Sequence, residues 1–156
     1  MIQRIQTVFL TLSGMTWILV LFLPIAKFGF DGESYPFVVS KFSAQAGPLA
    51  GAIEGMNGIL LFLMAIFSIA LTIFSIANYR KRLVQLKLGK SNLMVHLVFI
   101  VVAFFLIDGI KKALEPETLS YSIGTILPLV SVVLQVLASR AIAKDEKMVR
   151  AADRIR

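Results

Sequence analysis

Four uncharged, mostly apolar runs divide the chain. They cover Ile5 to Ala26 (22 residues), Gly55 to Tyr79 (25), Ser91 to Ile107 (17) and Thr118 to Ser139 (22). A helix rises 1.5 Å per residue, so about 20 residues cross a hydrocarbon core of roughly 30 Å. The first, second and fourth runs suffice. The third suffices with Asp108 at the interface and the helix extended to Ile110. The pattern predicts an all-α membrane protein in one domain, 1–156, built as a four-transmembrane-helix bundle. Its spans are expected at about 6–27, 56–79, 92–110 and 120–141, followed by a helical tail over 142–156. The first run is much longer than the roughly 7–15 apolar residues of a signal peptide. The nearest small-residue site, Ala44-Gln45-Ala46, lies well past it, so an uncleaved span is expected.

Between the first two spans, Phe28-Gly29-Phe30 and Tyr35-Pro36-Phe37-Val38-Val39 flank Asp31-Gly32, a dipeptide favoured in tight hairpins. A small β-hairpin in this first outer loop is expected, with Phe28, Phe30, Tyr35, Phe37 and Phe42 touching headgroups. Pro36 restricts its strand to a sheet edge. Gly47, Gly51 and Gly55 are spaced for close helix approach, but Pro48 and Glu54 interrupt them and loop flexibility is the simpler reading. Pro48 alternatively opens the second helix early. Ser68, Thr72 and Ser75 share one face of span two, and Gly124, Ser131, Gln135 and Ala138 follow a seam on span four. Both read as packing surfaces. Trp17 sits mid-span and is expected against a neighbouring helix; Pro128 kinks span four or lies in its opening turn.

Composition agrees with a lipid solvent. The chain is 58% hydrophobic and 16% charged, with a mean hydropathy of +0.84, against roughly 45–50% and 25% in soluble domains. Such values exclude a disordered or collagen-like chain. The absence of cysteine removes thiol catalysis, Cys-based zinc sites and iron–sulfur ligation. The placement of charge predicts orientation. Arg4, the segment from Arg80 to Lys90 and the tail from Arg140 to Arg156 hold 12 of the 16 basic residues; Lys27, Lys41, Lys111 and Lys112 are the rest. Basic flanks stay in the cytoplasm, so both termini are expected there (N-in, C-in). The net charge of +7 then reads as topology and attraction to anionic headgroups, about 1 kcal/mol per basic residue near the surface. Nucleic acid is not expected as a partner: the charges are split among three segments without base-stacking aromatics.

An ionisable residue inside a span is a functional candidate. Span three holds two, His96 and Asp108, 12 positions apart and so about 18 Å along one helix; they form neither a dyad nor a metal site. Lys111 and Lys112 follow Asp108 at i+3 and i+4, the spacing of helical ion pairs. An interfacial ion pair is the expectation, and Glu54 is expected to pair with Lys111 or Lys112 if spans two and three are antiparallel neighbours. His96 reads as a polar contact between helices. No nucleophile elbow, phosphate loop, metal-binding His pair or dinucleotide fingerprint occurs, so neither an enzyme nor a cofactor is expected. The alternative is a small transporter or channel component using Asp108 with the Ser131 and Gln135 face.

In the tail, Ala141, Met148, Ala152 and Ile155 form an apolar helical stripe, and Glu146, Arg150 and Asp153 stand at pairing distances along it. The opening Met1-Ile-Gln-Arg-Ile-Gln-Thr7 and the closing Lys144-Asp-Glu-Lys-Met-Val-Arg-Ala-Ala-Asp-Arg-Ile-Arg156 resemble an uncharacterised bacterial membrane-protein family, domain-of-unknown-function family four-two-nine-three. Its members are similar in length and look like four-span proteins. Where family tails often carry Ser before Ala-Asp-Arg, this chain has Ala151. The resemblance implies a bacterial plasma (inner) membrane and places both ends on one cytoplasmic face; it brings no activity, substrate or cofactor. The leading expectation is a non-enzymatic interaction protein whose Arg4, Arg150, Asp153, Arg154 and Arg156 dock a cytoplasmic protein or the inner leaflet. The bilayer, such a protein and a second copy of the chain are the expected partners.

Overall fold

The computed structural model describes the backbone of residues 2–41, 47–50, 58–79 and 81–153, and their side chains except those of 2–4, 150, 152 and 153. Four helices dominate: α1 (Ile2–Phe22), α2 (Gly58–Ala77), α3 (Arg82–Leu114) and α4 (Ile126–Asp153). All four are long and apolar enough to cross a membrane. A three-stranded antiparallel sheet caps one end, with β1 (Pro24–Phe30) between β2 (Glu33–Val38) and β3 (Thr118–Tyr121). Single 3-10 turns follow β2 (Val39–Lys41) and precede α4 (Ile123–Thr125).

Buried positions recur at alternating steps of three and four, the seam of a left-handed bundle. On α1 they are Gln6, Leu10, Ser13, Trp17 and Val20; on α2, Leu61, Ala65, Ser68, Thr72 and Ser75. On α3 they run Gln85, Gly89, Asn92, His96, Phe99, Ala103 and Leu106. On α4 they run Pro128, Ser131, Gln135, Ala138, Ile142 and Asp145. These stripes close a ring in which α1 packs on α2 and α4, and α3 packs on α2 and α4. The opposite faces expose Leu19, Leu63, Phe67, Val101, Phe105 and Val133, side chains suited to lipid and unsuited to water.

The first, third and fourth spans differ in their boundaries from those expected. Helix α1 stops at Phe22 instead of reaching residue 27, because Pro24 disfavours helical backbone at Leu23 and the next residues pair with two strands. Helix α3 begins at Arg82, ten residues before the expected 92, and ends at Leu114. The basic segment read as a connection is therefore mostly helix, since its Gln, Lys and Leu residues favour helix wherever water or headgroups solvate the charges. Helix α4 begins at Ile126 rather than 120, because Thr118–Tyr121 is spent on β3. Pro128 then falls in the opening turn, where its missing N–H costs nothing. The tail as far as Asp153 continues α4 without a break.

The sheet orders the end of the bundle opposite the basic one. Asp31 and Gly32 both have positive φ (49° and 78°), the requirement of a two-residue hairpin turn, and Pro36 lies on edge strand β2 opposite Lys27. The third strand, β3, was not anticipated. It pairs Ala26 to Gly29 with Tyr121 to Thr118. Of the aromatics expected at headgroups, Phe28 and Phe37 are instead fully buried in the core with Ile25, Leu49, Leu106 and Ile110. The pleat turns one sheet face onto the bundle end, and that face carries these two rings. Phe30 and Tyr35 are half-buried and in ring contact; Phe42 lies outside the described residues. Tyr35 donates to Glu33 Oε2 at 2.7 Å, and this bond, with the nearby negative charge, raises its phenol above the usual 10.0. Gly124 lies so close to the chain end of α1 that a Cβ there would stand 2.4 Å from the Pro24 carbonyl oxygen. Ser122 N–H and the Thr125 hydroxyl both donate to Ile25 O in the same corner.

Candidate functional site

The seam changes character halfway along. Toward the sheet it is apolar: Leu61, Ala65, Phe99, Ala103, Leu106 and Ile107. Toward the opposite, basic end every helix contributes buried polar groups: Gln6 and Ser13, Ser68 and Thr72, Gln85, Asn92 and His96, and Ser131 and Gln135. Trp17 marks the boundary. Its ring stacks edge-on against Phe99 at 4.7 Å and lies 4.8 Å from the His96 ring.

His96 is the hub. The indole Nε1–H of Trp17 reaches across the ring of helices to His96 Nε2 at 2.7 Å. An indole nitrogen only donates, which assigns Nε2 as an acceptor and the ring proton to Nδ1. Nδ1 faces Ser131 Oγ at 3.4 Å, and Ser131 shares a hydrogen bond with Ser13 at 2.8 Å. On the other side Ser68 Oγ lies 2.9 Å from Nε2 and donates to Asn92 Oδ1 at 2.9 Å. Asn92 Nδ2 donates to Thr72 Oγ1, which donates to the Ser68 carbonyl, each at 2.9 Å. All four helices meet in this cluster. The one histidine lone pair is taken by Trp17, so the imidazole is held as a clamp and not poised as a base.

Below the hub, spacing is tighter and satisfaction is poorer. Gln135 Nε2 donates to Gly89 O at 3.3 Å, and a Cβ on Gly89 would stand 3.1 Å from Gln135 Nε2 and Ser139 Oγ. Gln6 Nε2 donates to Ala141 O at 3.2 Å. Gln135 Oε1, Gln85 Oε1 and Ser75 Oγ are buried without a partner among the described residues. At the very end Arg82 Nε and Asp145 Oδ2 form an ion pair at 2.8 Å, with side chains only 20% and 11% exposed. It joins the start of α3 to the extension of α4.

The candidate residues divide accordingly. His96 and Gln135 enter the buried cluster. Asp108 does not: it pairs with Lys112 at 2.6 Å on the surface, about 18 Å along α3 from the layer of His96 and Ser131. Asp108 is thus not brought together with Ser131 and Gln135. Lys111 lies beside this pair, in the surface hollow formed with Glu115 and Pro116. The expected Glu54 contact falls outside the described residues. Backbone geometry places Arg4 in the first turn of α1, and Arg150 and Asp153 in the last turns of α4. Arg154 and Arg156 lie outside the described residues. Sequence reasoning did not single out Ser13, Gln85, Asn92 or Asp145. Their signal was present in the spacing, for Gln85, Asn92 and His96 fall one heptad and four residues apart on one face of α3.

Among the described residues no group of three or more His, Asp or Glu side chains is placed to hold a metal ion. No curated protein and no solved structure matches the chain. Over residues 2–155 the chain matches the family described as Domain of unknown function (DUF4293), and it belongs to that family.

Proposed function

We propose that this chain is a non-enzymatic, multi-pass protein of a bacterial plasma membrane, with both termini in the cytoplasm, whose basic end is a docking platform for a cytoplasmic protein. The observation that carries this reading is the pair of helical extensions. Helices α3 and α4 continue past their apolar spans at the same end, where Arg82 and Asp145 tie them together. The extensions expose Lys87, Lys90, Arg140, Lys144 and Lys147. Basic residues next to spans are retained on the cytoplasmic side, which supports this orientation. A tied helical pair presents charge in a fixed array, and an ordered array discriminates between partners where a loose tail does not. The saturated cluster around His96 supports a structural role for the polar seam. A transport role joining Asp108 to Ser131 and Gln135 is not adopted, given the separation along α3.

The test is removal of residues 144–156 together with a full-length variant carrying Lys87→Gln, Lys90→Gln, Lys144→Gln and Lys147→Gln. Both should insert normally and lose a specific cytoplasmic protein that co-purifies with the parent chain after cross-linking in intact cells. Unchanged co-purification refutes the platform. Orientation is read separately: the chain has no cysteine, so a Lys147→Cys variant should react with a membrane-impermeant maleimide only after the membrane is opened.

A further inference from the structure

Among the described residues β3 is an open sheet edge: β1 takes one of its sides and no strand takes the other. An open edge is a row of unpaired backbone N–H and C=O groups that another strand completes. The two edges of this sheet differ. Edge strand β2 carries Glu33 and Pro36, a charge and a proline of the kind that turn a further strand away. Edge strand β3, Thr118-Leu119-Ser120-Tyr121, has no proline, glycine or charge. Its alternation follows from one bond. Ser122 N–H donates to Ile25 O, continuing the register of Ala26 with Tyr121, so Ser120 and Thr118 also turn their N–H and C=O groups toward β1. Those of Leu119 and Tyr121 point to the open side. Side chains alternate between the two faces. Leu119 and Tyr121 lie opposite Phe28 and Ala26, both buried against the bundle, while Thr118 and Ser120 share the far face with the exposed Lys27.

Tyr121 shows where this edge stands. It is on the bundle side of the sheet yet 57% exposed, and it lines a groove of about 100 Å³ with Phe104, Ile107 and Pro128 between α3 and α4. Strand β3 therefore overhangs the flank of the bundle, where a second strand can approach from the side. The sheet rests one face on the bundle end, so an axis perpendicular to the sheet runs along the bundle. A two-fold rotation about that axis keeps both copies upright in one membrane and sets β3 antiparallel to its own copy. We propose that two copies of this chain pair edge to edge through β3, joining their sheets into one, with Ser120 at the two-fold axis. Leu119 then exchanges both of its free backbone bonds with the partner's Tyr121, and the reverse holds on the other side of the axis. Thr118 meets the partner's Ser122, and no charged residue opposes another. Centring the pairing on Leu119 instead would set Tyr121 against the partner's Glu117, whose N–H is already given to Gly29 O. The Ser120 register is therefore the one that satisfies the edge. This interface lies at the end of the bundle away from the docking platform and does not depend on it.

The chain has no cysteine, so single cysteine substitutions report the meeting of two copies. Ser120 and its copy form a non-hydrogen-bonded pair, with Cα atoms about 4.5 Å apart, inside the range a disulfide spans. In membranes treated with copper phenanthroline, full-length Ser120→Cys should become a disulfide-linked dimer at least about tenfold faster than Thr118→Cys, whose Cα atoms stand about 14 Å apart in this register. Leu119→Pro, added to Ser120→Cys, removes an N–H that only the partner uses. It should slow linkage to the rate of Thr118→Cys in a chain that still folds by circular dichroism. Tyr121→Pro provides the same reading if Leu119→Pro does not fold. Linkage of Ser120→Cys no faster than Thr118→Cys, faster linkage of Leu119→Cys than of Ser120→Cys, a linked product containing a different protein, or a Ser120→Cys dimer that persists in a folded proline variant overturns the proposal.

Discussion

Replacing His96 by leucine keeps most of the ring's volume and removes its nitrogen acceptors, which isolates the role of one hydrogen bond. The Trp17 indole N–H is fully buried, and His96 Nε2 is its partner at 2.7 Å. Ser68 and Ser131 keep Asn92 and Ser13 as partners when the histidine is lost; the indole keeps none of these. His96→Leu should therefore destabilise the bundle by about 1–3 kcal/mol, the penalty for a stranded buried donor. Trp17→Phe removes the donor itself. It leaves Nε2 in contact with Ser68 and sacrifices part of the packing on Phe99, at about 1–2 kcal/mol, a fraction of full truncation. In the double variant no donor is stranded, so the two effects should not add. The double should be less destabilised than the sum of the singles by about 1–2 kcal/mol; interhelical hydrogen bonds in membranes average about 0.6 and reach about 1.7. Equilibrium unfolding in mixed micelles, followed by far-UV circular dichroism because the sole tryptophan is lost, measures this coupling. Single effects that sum to the double within about 0.5 kcal/mol would refute the clamp. Trp17 fluorescence in the His96→Leu variant provides a second reading: the emission should shift to the red if the indole finds water, and a spectrum like that of the parent argues against a stranded donor.

Other consequences follow from single contacts. Gly124→Ala forces a methyl against the Pro24 carbonyl and should cost about 1–3 kcal/mol, visible as a lowered melting temperature in detergent. Arg82→Gln or Asp145→Asn alone leaves a charge largely buried at the junction of α3 and α4. Each should loosen the extensions in hydrogen exchange, and an Arg82→Asp, Asp145→Arg exchange should restore much of the protection. Lys112→Ala removes an exposed helical pair with Asp108 and should change stability by no more than about 0.5 kcal/mol in the same melting assay.

The helices were legible because a lipid solvent demands long uncharged runs, and such runs survive any detail of packing. Their ends were less so. Leu23 to Ala26 are apolar enough for a span, and only pairing with strands distant in sequence turns Pro24–Phe30 into β1. The hairpin could be read from Asp31-Gly32, a local signal, whereas β3 is four residues with no turn to announce it. Within the candidate site, the stripe Ser68, Thr72, Ser75 and the seam through Ser131 and Gln135 were visible by periodicity. What periodicity does not give is which stripes face each other. Trp17 and His96 stand on helices separated by 79 positions, and nothing local marks one as the other's partner. Likewise Asp145 read as one more charge of a solvated tail until Arg82 was seen beside it.

The contacts between α1 and α4 have a consequence for biosynthesis. At one end β1 needs β3 to cover its second edge; at the other Gln6 donates to Ala141 O, and Ser13 meets Ser131 between them. These partners are translated 89 to 135 residues later, so a nascent chain that has released its first three helices holds an open strand edge and a hydroxyl in lipid with no mate. Closure waits for the last span, and its arrival seals both ends of the first in one step. A polypeptide that stalls before Thr118 is thereby left with unpaired groups at both ends of its first helix.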